Sequence, residues 1–139
     1  RHGFFDLDVK VTGDLHVDGH HTVEDTGIVL GAAIKEALGD KKSIKRFGSC
    51  ILPMDDALCL CAVDLGGRPY FKMDAQITAP MVGNAVSYTA GMNLHIRMLD
   101  GVNAHHIIEA MFKSFAKALD EATKKDERIT DVLSTKGSL

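Results

Sequence analysis

The sequence His-His-x-x-Glu occurs twice, as His20-His21-Thr22-Val23-Glu24 and as His105-His106-Ile107-Ile108-Glu109, at an offset of 85 residues. Each copy follows a loop containing Gly and Asp, and each opens a stretch with apolar residues at helical spacing. The flanks agree as well: Leu7-Asp8-Val9-Lys10 is similar to Leu94-His95-Ile96-Arg97. A duplicated α/β unit is the simplest explanation. A repeat this long and irregular is not a solenoid. The expectation is therefore a layered α/β (α+β) architecture, in which each half is a small sheet with long helices and the two pack as one domain. That domain takes in residues 1–139, with halves at about 1–84 and 85–139.

The pattern along the chain gives the elements. Phe4 to Thr12 alternates apolar and polar residues and reads as a strand. Val23 to Leu38 reads as a helix, with Val23, Ile28, Leu30, Ala33, Ile34, Ala37 and Leu38 as its apolar surface and Gly39 placed to end it. Strands are expected at Ala57 to Leu65, Tyr70 to Ile77 and Asn93 to Leu99, with Gly66-Gly67-Arg68-Pro69 as a turn. A second long helix runs from Ile107 to about Lys124, burying Ile107, Ala110, Met111, Phe115, Ala118 and Leu119. The tail from Lys125 reads as irregular. The stretch Ile77 to Ala90 has no clear period.

Composition narrows the function. Charged residues make up 25% of the chain, net charge is −3, and the basic residues are scattered rather than gathered in a stripe. Nucleic-acid binding is not expected. No apolar run approaches a membrane span, so no membrane is expected either. The three cysteines, Cys50, Cys59 and Cys61, form no disulfide framework and fit a reducing compartment, the cytoplasm. Cys59 and Cys61, two apart in an apolar run, read as small buried hydrophobes on one strand face.

Histidine is the unusual residue, with seven copies, four of them in the two doublets. On a helix, residues four apart lie on one face, so His20 with Glu24, and His105 with Glu109, can grip one ion each. The second histidine of each doublet, His21 or His106, is turned by about 100° and must address another ion or none. One doublet alone would read as a solvated helix terminus; two in matching contexts point to two metals. Each metal would take a His/Glu pair from one helix and a lone His from the other. Imidazole and carboxylate together suit Mn, Fe, Co, Ni or Zn. The zincin pattern, with its two histidines four apart, is not present.

These residues resemble the imidazoleglycerol-phosphate dehydratase family. Its signatures stand as Asp18 to Asp25 (DGHHTVED) and Asn103 to Lys113 (NAHHIIEAMFK). Between them lie Pro53 to Ala57 (PMDDA), Val63 to Tyr70 (VDLGGRPY) and Leu94 to Arg97 (LHIR), and Ser134 to Gly137 (STKG) closes the series. The resemblance implies a fold like ribosomal protein S5 domain 2. It also implies the dehydration of D-erythro-imidazole-glycerol phosphate to imidazole-acetol phosphate in L-histidine biosynthesis. It implies two Mn(II) ions per subunit, with the substrate imidazole bound between them, and a homo-oligomer of 24 subunits with shared active sites. One ion would take His20, Glu24, His95 and His106; the other would take His21, His105 and Glu109. Glu109 is also the residue expected to move a proton. Arg46, Arg68, Lys113, Ser134 and Lys136 would bind the substrate phosphate. Arg97 is left out because it is taken to face away from His95. The resemblance further implies two stretches lacking here: one before Arg1 with a metal histidine, and one with paired glutamates between Asn84 and Ala85. At Asp56 the family commonly has Glu.

Two other readings use the same residues. A di-metal phosphoester hydrolase would share the metals and the cations but release phosphate. A non-catalytic metal-binding oligomer would keep the doublets without needing Arg46, Arg68, Lys113 and Lys136, all of which are present.

Overall fold

The computed structural model describes residues 1–75 and 81–137, without the side chains of residues 81–84. Seven elements follow in order: α1 (His20–Leu38), β1 (Phe47–Met54), β2 (Ala57–Asp64), β3 (Tyr70–Asp74), α2 (Met81–Ala90), β4 (Asn93–Asp100) and α3 (Ala104–Thr123). The strands form one sheet in the order β1-β2-β4-β3. β1, β2 and β4 pair antiparallel, and β3 joins β4 in parallel. That parallel pair needs a crossover, which α2 supplies. The expected α+β class is the class observed.

β2 is a central strand, and its ALCLCAVD sequence alternates buried and half-buried positions along its length. Ala57, Cys59, Cys61 and Val63 face the helices with Leu94 and Ile96 of β4. Ala110, Met111, Ala118 and Leu119 of α3 and Val86 and Ala90 of α2 close the same core. The cysteines are buried as expected, and burial drives the Cys61 thiol pKa upward. α3 lies across β1 and β2, whereas α2 covers the β3 side and α1 packs on α2. Gly31 of α1 lies so close to Val86 and Thr89 that a Cβ there would meet the Val86 carbonyl at 2.8 Å.

Several expectations need correction. Phe4 to Thr12 is not a strand, and Phe5, Leu7, Val9 and Val11 are exposed. Alternation makes a strand only where a neighbour completes the ladder, and among the described residues none lies beside this segment. For the same reason the two halves do not appear as two sheets: β1, β2 and β3 come from before residue 84, and β4 completes their sheet from after it. α1 begins at His20, three residues earlier than the apolar period indicates, and Gly39 ends it with φ 53°. Its expected apolar surface is largely open: Val23, Ile28, Ala33 and Ala37 are exposed, while Gly27 and Gly31 are buried.

β1 and α2 were not anticipated. FGSCILPM lacks a clean alternation and contains Gly48 and Pro53, and Pro53 is tolerated because β1 is an edge strand. The sequence of α2 is short and rich in small residues, and the helix runs without a break through Asn84 and Ala85. The last residues of the expected third strand, 76 and 77, lie outside the described residues.

Gly48 sets the distance between sheet and helix. A Cβ there would overlap the Ala118 carbonyl oxygen and crowd the Ala122 amide at 2.7 Å, both of them backbone. We expect Gly48→Ala to destabilise the protein by about 1–3 kcal/mol, the usual cost of overpacking. Thermal melting checks this, and an unchanged midpoint would show that α3 shifts freely over β1.

Candidate active site

Both doublets open helices, and both i,i+4 pairs form. His20 Nε2 lies 3.9 Å from Glu24 Oε2, and His105 Nε2 lies 3.5 Å from Glu109 Oε2. Local sequence holds each start. Asn103 caps α3, its side chain accepting the N–H groups of His105 and His106. Gly19 gives α1 no such cap, but Asp18 accepts the His20 N–H at 2.8 Å.

The second histidines differ in their surroundings. Among the described residues, the charged group nearest His21 is Asp14, at 3.9 Å. His106 sits between two carboxylates of the β1–β2 turn: Nδ1 is 2.5 Å from Asp56 Oδ1, and Nε2 is 3.3 Å from Asp55 Oδ2. Asp56 also accepts the N–H groups of Val102 and Asn103. These bonds, that from His106 first, hold the Asp56 carboxyl well below the usual carboxylate range, and Asp56 in turn raises the pKa of His106. Glu109 is held low chiefly by Lys113, whose Nζ lies 2.6 Å from Glu109 Oε1.

His95 stands on the face of the sheet opposite the helices, with its ring centroid 5.4 Å from that of Tyr70. Arg97, taken above to face away from His95, lies on this same exposed face beside Asp74. Strand residues two apart share a face, so the earlier placement of Arg97 was wrong.

Arg46 lies at the other end of the sheet, beside the turn that carries Arg68 and the tail that bears Ser134 and Lys136. Arg46 donates through Nε and Nη2 to both oxygens of Asp64, at 2.6 and 3.0 Å, and through Nη1 to the Leu133 carbonyl at 2.7 Å. That last bond anchors the tail bearing Ser134 and Lys136. The guanidinium also lies against Gly66, in the turn that carries Arg68. Of the five guanidinium N–H donors, two are left over for an anion.

The site residues therefore occupy separate places in one chain. The His105, His106, Glu109 and Lys113 group lies at the β1–β2 turn, and the Arg46 group lies at the opposite ends of those eight-residue strands. The strand length separates the two groups by about 23 Å. Lys41, just past α1, bonds the Leu65 carbonyl at the Arg46 end. This leaves His20 about 28 Å away, the length of α1, and Glu24 about one turn nearer. Among the described residues, no three His, Cys, Asp or Glu side chains converge to hold one ion.

Comparison with known proteins adds an independent finding. The family model described as imidazoleglycerol-phosphate dehydratase matches residues 1–119. An imidazoleglycerol-phosphate dehydratase of Lachnoclostridium phytofermentans is 61% identical over 150 residues, an alignment that covers 100% of this chain and 76% of that protein. Since the chain has 139 residues, the relative carries internal residues with no counterpart here. The structure of the Staphylococcus aureus imidazoleglycerol-phosphate dehydratase is similar with TM-score 0.77 at 35% identity, covering 84% of this chain and 72% of that one. That of the Pyrococcus furiosus enzyme, solved in complex with (S)-C348, gives TM-score 0.78 at 40% identity, covering 92% and 74%.

The raised pKa of His106 predicts a pH dependence in metal-free protein. A group raised on folding stabilises fully below its unfolded value, here 6.5, and loses that contribution as pH rises through the folded value. Denaturation midpoints should therefore fall as pH rises from below 6.5 through the raised folded value. His106→Gln can still donate to Asp56 but cannot titrate, and it should flatten this slope. Parallel slopes in the two proteins would place the titration elsewhere.

Proposed function

The chain belongs to the imidazoleglycerol-phosphate dehydratase family, hydro-lyases of histidine biosynthesis, and we propose that its reaction is carried out at a di-metal site completed between subunits. The substrate is D-erythro-imidazole-glycerol phosphate and the product is imidazole-acetol phosphate. The observation that carries this reading is the pair of His–Glu contacts, one at the opening of α1 and one at the opening of α3.

The residues suit the ions the resemblance implies. Each helix offers an imidazole nitrogen and a carboxylate oxygen on one turn, a mixed donor set compatible with Mn(II). His20, Glu24, His95 and His106 would hold one ion, and His21, His105 and Glu109 the other. When bound, two Mn(II) ions would supply Lewis-acid stabilisation and a template for the substrate imidazole. Glu109 is the residue of this chain that takes a proton from the hydroxyl-bearing carbon one removed from the ring, while hydroxide leaves the carbon beside the ring, and the enol so formed tautomerises to the ketone of the product. Lys113 neutralises Glu109 here, and a carboxylate turned toward a metal would release that ammonium to the substrate phosphate. Arg68, Ser134, Lys136 and the two remaining Arg46 donors complete the phosphate contacts.

Separation within one chain supports completion by neighbours. No fold change short of unfolding brings the Arg46 group to Glu109 across the length of the strands. A homo-oligomer, 24 subunits by resemblance, lets one subunit's metal ligands face another's cations. The two motif-bearing stretches are read as duplicate units of one domain. Their matching helix openings support this, as do the unmatched residues of the relative, which we place near Asn84.

The direct test supplies Mn(II) and the substrate to the purified protein and weighs the product. The expected product has lost one water and kept its phosphate; release of inorganic phosphate would favour the hydrolase instead.

Shared sites make a second prediction. Glu109→Ala and Arg68→Ala should each be nearly inactive alone. Dissociated, mixed in equal amounts and reassembled, they should recover up to about a quarter of wild-type activity, because that share of sites draws both halves from unmutated positions. No recovery in mixed oligomers would mean that each site belongs to a single chain.

A further inference from the structure

Asp56 makes three hydrogen bonds from one carboxylate. Oδ2 accepts the N–H groups of Val102 at 2.7 Å and Asn103 at 2.9 Å, and Oδ1 faces His106 Nδ1 at 2.5 Å. The first two bonds tie the β1–β2 turn to the loop that opens α3, so the carboxylate is fixed before it meets the imidazole. An ionised carboxylate only accepts, so the ring nitrogen facing it must carry a hydrogen. Asp55 Oδ2 faces Nε2 at 3.3 Å, so without metal that nitrogen carries a hydrogen too; a metal would displace the Nε2 hydrogen, leaving the neutral ring with Nδ1–H on Asp56 and its lone pair on Nε2. A ligating histidine is commonly held in this way, its other N–H donated to a carboxylate.

We infer that Asp56 is a positioning residue that fixes the tautomer and direction of the His106 ring, so that Nε2 is the nitrogen offered to a metal. The inference rests on the di-metal reading above and adds a residue to it. The contact on Nε2 is with Asp55, whose side chain is 68% exposed and turned outward from a residue with φ 49°. That carboxylate is exposed, whereas Asp56 is held by two backbone groups. The two acids therefore have different tasks: Asp56 orients the ring, and Asp55 occupies the side from which a cation approaches. Arrangement along the sequence explains why both are needed at the turn. Asp55 and Asp56 are adjacent, yet they address opposite nitrogens of one ring.

The test uses Mn(II) binding isotherms on metal-free protein for wild type, Asp56→Asn, Asp56→Glu and His106→Ala. In Asp56→Asn the amide oxygen can still accept from Val102 and Asn103. Its NH2 then faces Nδ1 and forces the ring hydrogen onto Nε2. The ion that His106→Ala removes should bind about 10–100-fold more weakly in Asp56→Asn, the range typical for losing such a partner. Asp56→Glu should restore most of the affinity, since a longer carboxylate can still accept from Nδ1. In the His106→Ala background, Asp56→Asn should cost nothing further. Wild-type affinity in Asp56→Asn overturns the inference, as does an equal loss with and without His106. A wild type that binds no Mn(II) overturns instead the di-metal reading on which it rests. Melting of the metal-free variants, unchanged within a few degrees in Asp56→Asn, separates a lost ligand from a lost fold.

Discussion

The close approach of α3 to β1 and β2 is the contact on which the rest is built. It exists because Gly48 offers no side chain to the Ala118 carbonyl. Ala110, Ala118 and Ala122 then lie fully buried against the sheet. Both groups of site residues inherit their positions from this contact. At one end of α3, Arg46 donates its own N–H to the Ala122 carbonyl and turns its side chain to Asp64. At the other end, the β1–β2 turn meets the first turn of α3 and places Asp55 and Asp56 on His106. The eight residues of each strand are the ruler between the two groups.

Much of this was legible in the sequence, and the limits have physical causes. The apolar period of α3 named its buried face, because that helix packs against strands of its own chain. The same reasoning failed on α1 and on Phe4 to Thr12. There many apolar residues stay exposed, Val9, Val11 and Val29 lining an open cavity between the two segments, and a pattern cannot reveal whether its partner is present. β1 escaped notice because an edge strand tolerates Pro53 and Gly48, which usually argue against a strand. The spacing of His and Glu predicted the helix-face pairs, since four residues make nearly one turn in any helix. Asp56 was noted only as a departure from the family. Its bond to His106 spans 50 residues of sequence, and no local spacing encodes such a contact.

Exposure at the site has the same cause as exposure on α1. His105 is 80% exposed and His21 67%. Imidazoles left open to water at helix openings are unremarkable as packing. They acquire a use only where a further surface supplies the missing donors and excludes solvent. Val23, Val29 and Phe112, also exposed on α1 and α3, mark apolar surface on the same two helices. A subunit interface would bury the apolar side chains and complete the ligand sets in one step, which couples assembly to the formation of the site.

The two doublets have equal spacing but unequal support. On α3, an asparagine cap, a three-bond carboxylate and an exposed second acid surround the doublet. On α1, the helix start relies on Asp18, and among the described residues His21 has Asp14 as its one carboxylate neighbour, at 3.9 Å. Helical geometry copies the ligand spacing from one half to the other at no cost in design. Orientation of each ring depends on residues distant in sequence, which duplication of the motif does not carry with it. In a folded single chain the α3 doublet is therefore the more nearly preformed of the two. The α1 doublet would take its final geometry from a subunit packed against the open face of α1, as the proposed assembly requires.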